Sequence, residues 1–123
     1  MSKILLVDDD IGYNEMLKDF LESQGHEITC AFDGNQAFKL FERAQPDLVI
    51  TDLVMPEEDG VGFLMKLWRD DGSFPCKVIT MSGGGRVDGT EYLSLTKSMG
   101  VDGLLEKPFK MTELQESIEA LLH

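Results

Sequence analysis

Five charged residues stand where short apolar runs of the sequence end. Asp8, Asp9 and Asp10 follow the first run, Asp52 follows the third, and Lys107 follows the fifth. Adjacent carboxylates repel one another, but they become favourable ligands around a hard divalent cation, which prefers oxygen. The clustered acidic residues therefore predict a Mg²⁺ site.

Lys107 indicates that an anion binds beside this cation. An ammonium adds little to a metal site alone, but it suits a bound phosphoryl group. A carboxylate can also accept a phosphoryl group and form an aspartyl phosphate. Asp52 is the isolated carboxylate after the central run, so it is the predicted acceptor, and Ser82 adds a hydroxyl after the fourth run.

Five apolar runs alternate with five segments of helical periodicity, which predicts an α/β domain with a mainly parallel sheet. The runs are residues 4–7, 27–31, 47–51, 77–81 and 103–106. The helical faces are Met16, Leu17, Phe20 and Leu21; Phe38 and Phe41; Phe63, Leu64, Leu67 and Trp68; Tyr92, Leu95 and Met99; and Met111, Leu114, Ile118 and Leu121. We expect Trp68 to pack against the sheet and Met65 to fill the core. Ligands bind outside the carboxyl ends of the strands in such sheets, which is where the charged residues fall.

The composition limits the classes of partner. The chain has 123 residues, 23 acidic and 11 basic, and a formal net charge of −12. Nucleic acids and anionic membranes are bound through Lys and Arg, so both are disfavoured. The first apolar run is too short for a signal peptide or a membrane span. We expect one cytoplasmic domain over residues 1–123 that binds a cation and basic partner surfaces.

Each candidate residue has an ordinary structural explanation when taken alone. Asp8 and Asp9 could end a strand, and Asp10 could cap the first helix. Lys107 could lie on the surface and Ser82 could fill a loop. Their joint position on one predicted rim of the sheet favours a functional site.

Four motifs resemble the receiver domains of two-component response regulators. They are VDDD (7–10), TDLVMPEEDG (51–60), TMSG (80–83) and EKPF (106–109), and they extend in order across the chain. The resemblance implies a doubly wound (βα)5, flavodoxin-like three-layer sandwich with five parallel strands in the order 2-1-3-4-5. It also implies a phosphoacceptor signalling switch.

The resemblance assigns a role to each matching residue. Asp52 accepts the phosphoryl group from a phosphohistidine. Asp9 and Asp52 bind one Mg²⁺ directly, with the backbone carbonyl of Val54, and Asp8 acts through water. Lys107 and the Ser82 hydroxyl bind the phosphoryl oxygens, and the Ser82 contact pulls on the loop that follows.

Other family features are present, replaced or missing. The bond between Lys107 and Pro108 is expected to be cis, as is typical of the family. Leu104 occupies the position where receiver domains often carry a switching Tyr or Phe. Val54 and Gly84 stand where polar side chains can position the hydrolytic water, and neither side chain can hydrogen-bond water. We expect slow self-dephosphorylation and no other enzymatic activity.

The resemblance also implies partners. A sensor histidine kinase or a histidine phosphotransfer protein supplies the phosphoryl group, docking near Ile11, Pro108 and Phe109. A downstream protein target binds the face formed by the fourth helix, fifth strand and fifth helix, and the chain is expected to be monomeric. That face includes Tyr92, Leu95, Leu104 and Leu105.

Several functional alternatives stay open. The chain could be a stand-alone regulator, a phosphorelay intermediate, or a receiver cut from a longer hybrid kinase or regulator. A Mg²⁺-dependent aspartyl phosphatase of the haloacid-dehalogenase type would need a second Asp where Val54 stands. A flavodoxin-like flavin binder would have to place an anionic phosphate beside three aspartates. A pseudo-receiver is disfavoured because every acceptor-site residue is present.

Overall fold

The computed structural model describes residues 2–53, 59–83 and 97–122. Five strands and four helices are delimited within these ranges, and residues 97–99 are also helical. The elements are β1 (Lys3–Val7), α1 (Ile11–Ser23), β2 (Glu27–Ala31), α2 (Gly34–Ala44), β3 (Leu48–Asp52), α3 (Asp59–Leu67), β4 (Lys77–Gly83), β5 (Gly103–Lys107) and α4 (Met111–Leu122). No helix among the described residues is both long and apolar enough to span a membrane.

The strands form one parallel sheet in the order β2-β1-β3-β4-β5, which confirms the predicted topology. The chain order reverses between β1 and β3, so their carboxyl ends form the switch point where ligands bind in open α/β sheets. Val7 pairs with Thr51 in this register. Asp8 and Asp52, the residues that follow this pair, are therefore level with each other at the switch point.

Side chains of the strands alternate between two faces, and helices cover both. Ile4 and Leu6 pack with Leu17 of α1 and Leu114 of α4. Leu5 packs on the opposite face, against α2 and α3. Because both faces are covered, the central strands are apolar throughout. The result is the predicted three-layer sandwich.

Helix α1 has a defined signal at each end, which fixes how the chain enters and leaves it. Asp10 caps the N-terminus, where its carboxylate accepts the Tyr13 backbone N–H. Gly25 has a φ of 93°, and the His26 N–H donates to the Leu21 carbonyl at 3.2 Å. This Schellman-type ending needs the left-handed conformation that glycine adopts without strain.

Three apolar side chains expected to be buried are exposed instead. Met16, Met65 and Trp68 are 46%, 61% and 41% exposed. Met16 lies outside the buried stripe of α1, and Met65 lies on the outer side of α3. Trp68 follows the last residue of α3 and lies at its flank. The expectation of burial was wrong for Met16 and Met65 because only one stripe of each helix faces the sheet, and for Trp68 because it lies beyond the last residue of α3.

The fourth predicted helix is described only at its C-terminal end. Met99 lies in the helical residues 97–99 and is buried near Leu64 and Val78. Tyr92 and Leu95 lie outside the described residues, as do Val54 and Gly84.

Gly60 allows α3 to pack closely against the end of β3. A Cβ at this position would overlap the carbonyl oxygen of Asp52 and approach Leu53 Cα to 2.9 Å. Backbone atoms cannot move aside cheaply, so we expect Gly60→Ala to lower the free energy of unfolding by about 1–3 kcal/mol. Urea unfolding monitored by circular dichroism measures this difference.

Gly62 offers a matched control in the same helix. A Cβ there would meet nothing within 4 Å, so Gly62→Ala should leave stability unchanged or raise it by about 0.5–1 kcal/mol. Equal unfolding midpoints for the two variants would contradict the close packing of α3 against Asp52.

Candidate functional site

Three carboxylates converge at the carboxyl ends of β1 and β3. Asp8, Asp9 and Asp52 each offer one oxygen, and these oxygens lie within 4.8 Å of one another. Asp8 and Asp52 are buried, at 1% and 3% exposure, whereas Asp9 is partly exposed. An all-oxygen set with an exposed member matches the preference of Mg²⁺, which takes one or two protein carboxylates and keeps several waters.

Lys107, the last residue of β5, reaches into this acidic cluster. Its Nζ donates to Asp8 Oδ2 at 2.8 Å and to Asp52 Oδ2 at 3.3 Å. Burial alone would lower the pKa of Lys107, but the hydrogen bond that Lys107 donates to Asp8 and the negative charges of Asp52 and Asp8 outweigh it. The pKa therefore lies above its ordinary value, and the side chain carries a positive charge at neutral pH.

Asp8 is held in place by the backbone and by Asn14. Its Oδ1 accepts the Asp10 N–H at 3.0 Å. The buried Asn14 amide donates to the carbonyls of Asp8 and Ala31, at 3.1 and 3.0 Å, and so joins the ends of β1 and β2. Sequence reasoning missed Asn14. The signal was available, because Asn14 is the polar member of the buried stripe that continues through Leu17 and Leu21.

Asp10 caps the N-terminus of α1, which is the structural role that the sequence suggested for it.

Tyr13 lies in the first turn of α1 and is a second residue that sequence reasoning missed. The Tyr13 ring lies 4.4 Å from Lys107 Nζ and meets Phe109 edge to face. Burial raises the pKa of Tyr13 further above neutrality, and the nearby carboxylates add to this while Lys107 opposes it. The phenol is therefore neutral.

The main chain of Asp52 is fixed by its neighbours on three elements. The Thr51 hydroxyl donates to the Asp52 carbonyl at 3.1 Å. The Leu53 N–H donates to the Met81 carbonyl of β4 at 2.9 Å. Gly60 of α3 packs against the same carbonyl of Asp52. These contacts place the carboxylate beside Lys107 with little freedom.

The remaining predicted site residues have clear positions. Ser82 is buried in β4, one residue beyond Met81, which pairs with Asp52. Leu104 is half-buried in β5. The Lys107–Pro108 bond is cis, in agreement with the sequence prediction. The structure thus brings Asp8, Asp9, Asp52 and Lys107 together, whereas the Val54 carbonyl lies outside the described residues.

The geometry can hold a cation and an anion side by side. A family model described as the response regulator receiver domain matches residues 4–119 of the chain. The chain belongs to this family. The parallel order 2-1-3-4-5, which the four sequence motifs implied, and the three clustered aspartates agree with this membership.

Individual relatives agree with this assignment. The transcriptional regulatory protein CpxR of Escherichia coli strain K12 is 38% identical over 99% of this chain and 50% of its own length. A receiver domain protein of Clostridium thermocellum has a TM-score of 0.86 at 26% identity, covering 99% and 94% of the two chains. The chemotaxis response regulator CheY4 of Vibrio cholerae has a TM-score of 0.82 at 26% identity, covering 99% of each. The chain spans about half the length of the curated relatives it matches.

Proposed function

We propose that this receiver domain is a phosphoacceptor switch, in which Asp52 takes a phosphoryl group from a phosphohistidine. The phosphohistidine belongs to a sensor histidine kinase or a histidine phosphotransfer protein. The observation that carries the proposal is the Lys107 ammonium, which lies within 3.3 Å of Asp52 while the oxygens of Asp8, Asp9 and Asp52 cluster within 4.8 Å. Such a site neutralises the charge of an incoming phosphoryl group.

In the proposed reaction an Asp52 carboxylate oxygen attacks the phosphorus in line with the leaving imidazole. The new O–P bond forms as the N–P bond breaks, and the electron pair returns to the imidazole nitrogen. Phosphoryl transfer depends mainly on positioning and charge neutralisation. Lys107 and the predicted Ser82 hydroxyl would stabilise the phosphoryl oxygens, and Gly60 and Thr51 hold the acceptor in position.

Mg²⁺ fits the donor set, and we propose Asp9 and Asp52 as direct ligands. Asp8 would act through water, and the Val54 carbonyl completes the proposed set. When bound, the metal ion supplies positive charge that shields phosphoryl oxygens from the carboxylates. Asp8 already binds Lys107 at 2.8 Å, which is consistent with a role outside the direct ligand sphere.

The proposal is tested by intact mass spectrometry of the native chain after incubation with acetyl phosphate and Mg²⁺. We expect a single phosphoryl adduct, lost when a chelator replaces the metal ion. A chain that forms no adduct with acetyl phosphate or with phosphorylated histidine donors would contradict the acceptor role.

The aspartyl phosphate is expected to hydrolyse slowly, and the protein is proposed to act as a switch and not as an enzyme. Neither Val54 nor Gly84 has a side chain that can hydrogen-bond the attacking water. We therefore predict that Val54→Asn shortens the half-life of the adduct by several fold. This half-life is measured by the decay of the adduct mass after the phosphodonor is removed. An unchanged half-life would contradict this account.

The site rim suits docking of the phosphodonor. Ile11 is 59% exposed directly after the acidic motif, and Pro108 is exposed beside Lys107. Phe109 is half-buried and packs against Tyr13. We propose that an apolar side chain of the donor protein covers Ile11 while its basic residues meet the acidic chain, whose net charge is −12.

On the proposed output face, Leu104 is half-buried and Leu105 is packed in the core with Leu114. Leu105 thus supports the face, while Leu104 is the described member that a target protein can touch. We propose a monomer that binds a downstream protein, as a stand-alone regulator, a relay intermediate or part of a longer protein. Although CpxR is named a transcriptional regulator, the proposal that this chain binds no nucleic acid follows from its own acidity.

A further inference from the structure

We propose that Tyr13 is a positioning residue for Lys107, holding the ammonium at the phosphoryl site through the face of its ring. The inference rests on the proposed phosphoacceptor function and extends it to a residue outside the four motifs. Lys107 Nζ lies 4.4 Å from the centroid of the Tyr13 ring, well within the range of about 6 Å over which a cation–π contact is attractive.

The ring contact complements the hydrogen bonds of the ammonium. An ammonium has three N–H donors, and the described bonds to Asp8 and Asp52 use two of them. The face of the Tyr13 ring attracts the positive charge of the ammonium, although the ring carries no negative charge itself. It therefore restrains the end of a side chain with four rotatable bonds without adding another negative charge to compete with a phosphoryl oxygen.

Tyr13 is itself held from both sides. Its backbone N–H donates to Asp10 Oδ1 at 3.1 Å, which fixes the first turn of α1. Its ring meets the Phe109 ring at 6.2 Å between centroids and 80° between planes, a favoured edge-to-face geometry. Asp10 and Phe109 therefore both help to hold the Tyr13 ring beside the Lys107 ammonium.

Burial makes this contact effective. The Lys107 side chain is 16% exposed, and Tyr13 is half-buried. A cation–π contact is worth more where water is excluded, because water no longer competes for the cation. Two charged neighbours alone would leave the ammonium free to pivot between Asp8, at 2.8 Å, and Asp52, at 3.3 Å.

The test compares Tyr13→Leu with Tyr13→Phe in the whole chain. The rate of phosphoryl adduct formation with acetyl phosphate and Mg²⁺ should fall about 5–30-fold in Tyr13→Leu, the loss expected of a partly buried cation–π contact. Tyr13→Phe keeps the ring and should retain the rate within about twofold. Phe20→Leu removes a ring from the same helix, in the groove next to α4, and should also leave the rate unchanged.

A double variant separates positioning from general packing. If Tyr13 acts through Lys107, Tyr13→Leu should have little further effect on the rate in a Lys107→Gln background. Equal rates for the native chain and Tyr13→Leu would overturn the proposal. Equally slow Tyr13→Phe and Tyr13→Leu variants would overturn it too, because the hydroxyl and not the ring would then be responsible.

A spectroscopic readout distinguishes failure of this inference from failure of the proposed function. The Lys107 side-chain methylene protons should show a ring-current shift in NMR spectra of the native chain and of Tyr13→Phe. This shift should vanish in Tyr13→Leu. If the native chain shows the ring-current shift but forms no adduct, the acceptor role alone is contradicted. If the native chain forms the adduct but shows no shift, the positioning role alone is contradicted.

Discussion

Replacing Asp52 by asparagine is expected to abolish the phosphoryl adduct completely. The amide has nearly the shape of the carboxylate, so the fold and the hydrogen-bonding position are kept. It lacks the anionic oxygen that attacks phosphorus. Intact mass after incubation with acetyl phosphate and Mg²⁺ measures the loss.

Asp47→Asn is the matched control for this prediction. Asp47 lies just before β3, at the opposite end of the strand that ends at Asp52, and it is exposed. Removing its carboxylate changes the net charge by the same amount, so the control separates the acceptor from the overall acidity. An adduct of undiminished yield in Asp52→Asn, or its loss in Asp47→Asn, would contradict the assignment.

Lys107→Gln should produce the largest loss of stability among site variants. Asp8 and Asp52 are 1% and 3% exposed, and Lys107 is the described cation that binds both. Removing one partner of a buried ion pair leaves uncompensated charge, so we expect the free energy of unfolding to fall by about 3–5 kcal/mol. Urea unfolding in the presence of a chelator measures this cost, and added Mg²⁺ should restore part of it.

Lys77→Gln is the control for the stability effect. Lys77 lies 3.9 Å from Asp102 with more than half of its side chain exposed, so its loss should cost less than about 1 kcal/mol. If both variants lost the same small amount, the acidic cluster would not depend on Lys107.

The pH dependence of the Lys107 contribution has a definite sign. The pKa of Lys107 is raised in the folded chain by Asp8 and Asp52, against the opposing effect of burial. Its contribution to stability is therefore fully present below the unfolded pKa, about 10.5, and is lost as the pH rises through the folded pKa. The stability difference between the native chain and Lys107→Gln should be constant near neutrality and shrink in alkaline solution as Lys107 loses its proton.

Much of the fold could be predicted because its signals are local. Each apolar run corresponds to a strand, and the charged residues fall at the strand ends, where a parallel sheet collects them. The structure extends β3 through Asp52 and β5 through Lys107, so these residues end their strands and do not follow them. This one-residue difference in where β3 and β5 end moves no side chain away from the site.

The errors and omissions concern contacts that periodicity does not determine. An apolar side chain at the edge of a helical face, such as that of Trp68, can be either buried against the sheet or exposed to solvent. The contact between Tyr13 and Lys107 joins α1 to β5, and no spacing within one element predicts which ring meets which ammonium. Asn14 differs, because a polar residue within an apolar stripe is visible in the sequence and indicates a buried hydrogen bond.

The central claim is that Asp52 carries the phosphoryl group, and borohydride trapping of the native chain tests it most directly. Borohydride reduces an acyl phosphate and releases phosphate, so the aspartate that carried the group becomes homoserine. After treatment with acetyl phosphate and Mg²⁺, we predict homoserine at position 52 when the peptides are sequenced by mass spectrometry. Homoserine at position 8 or 9, or none in a chain that carries the phosphoryl adduct, would contradict the account.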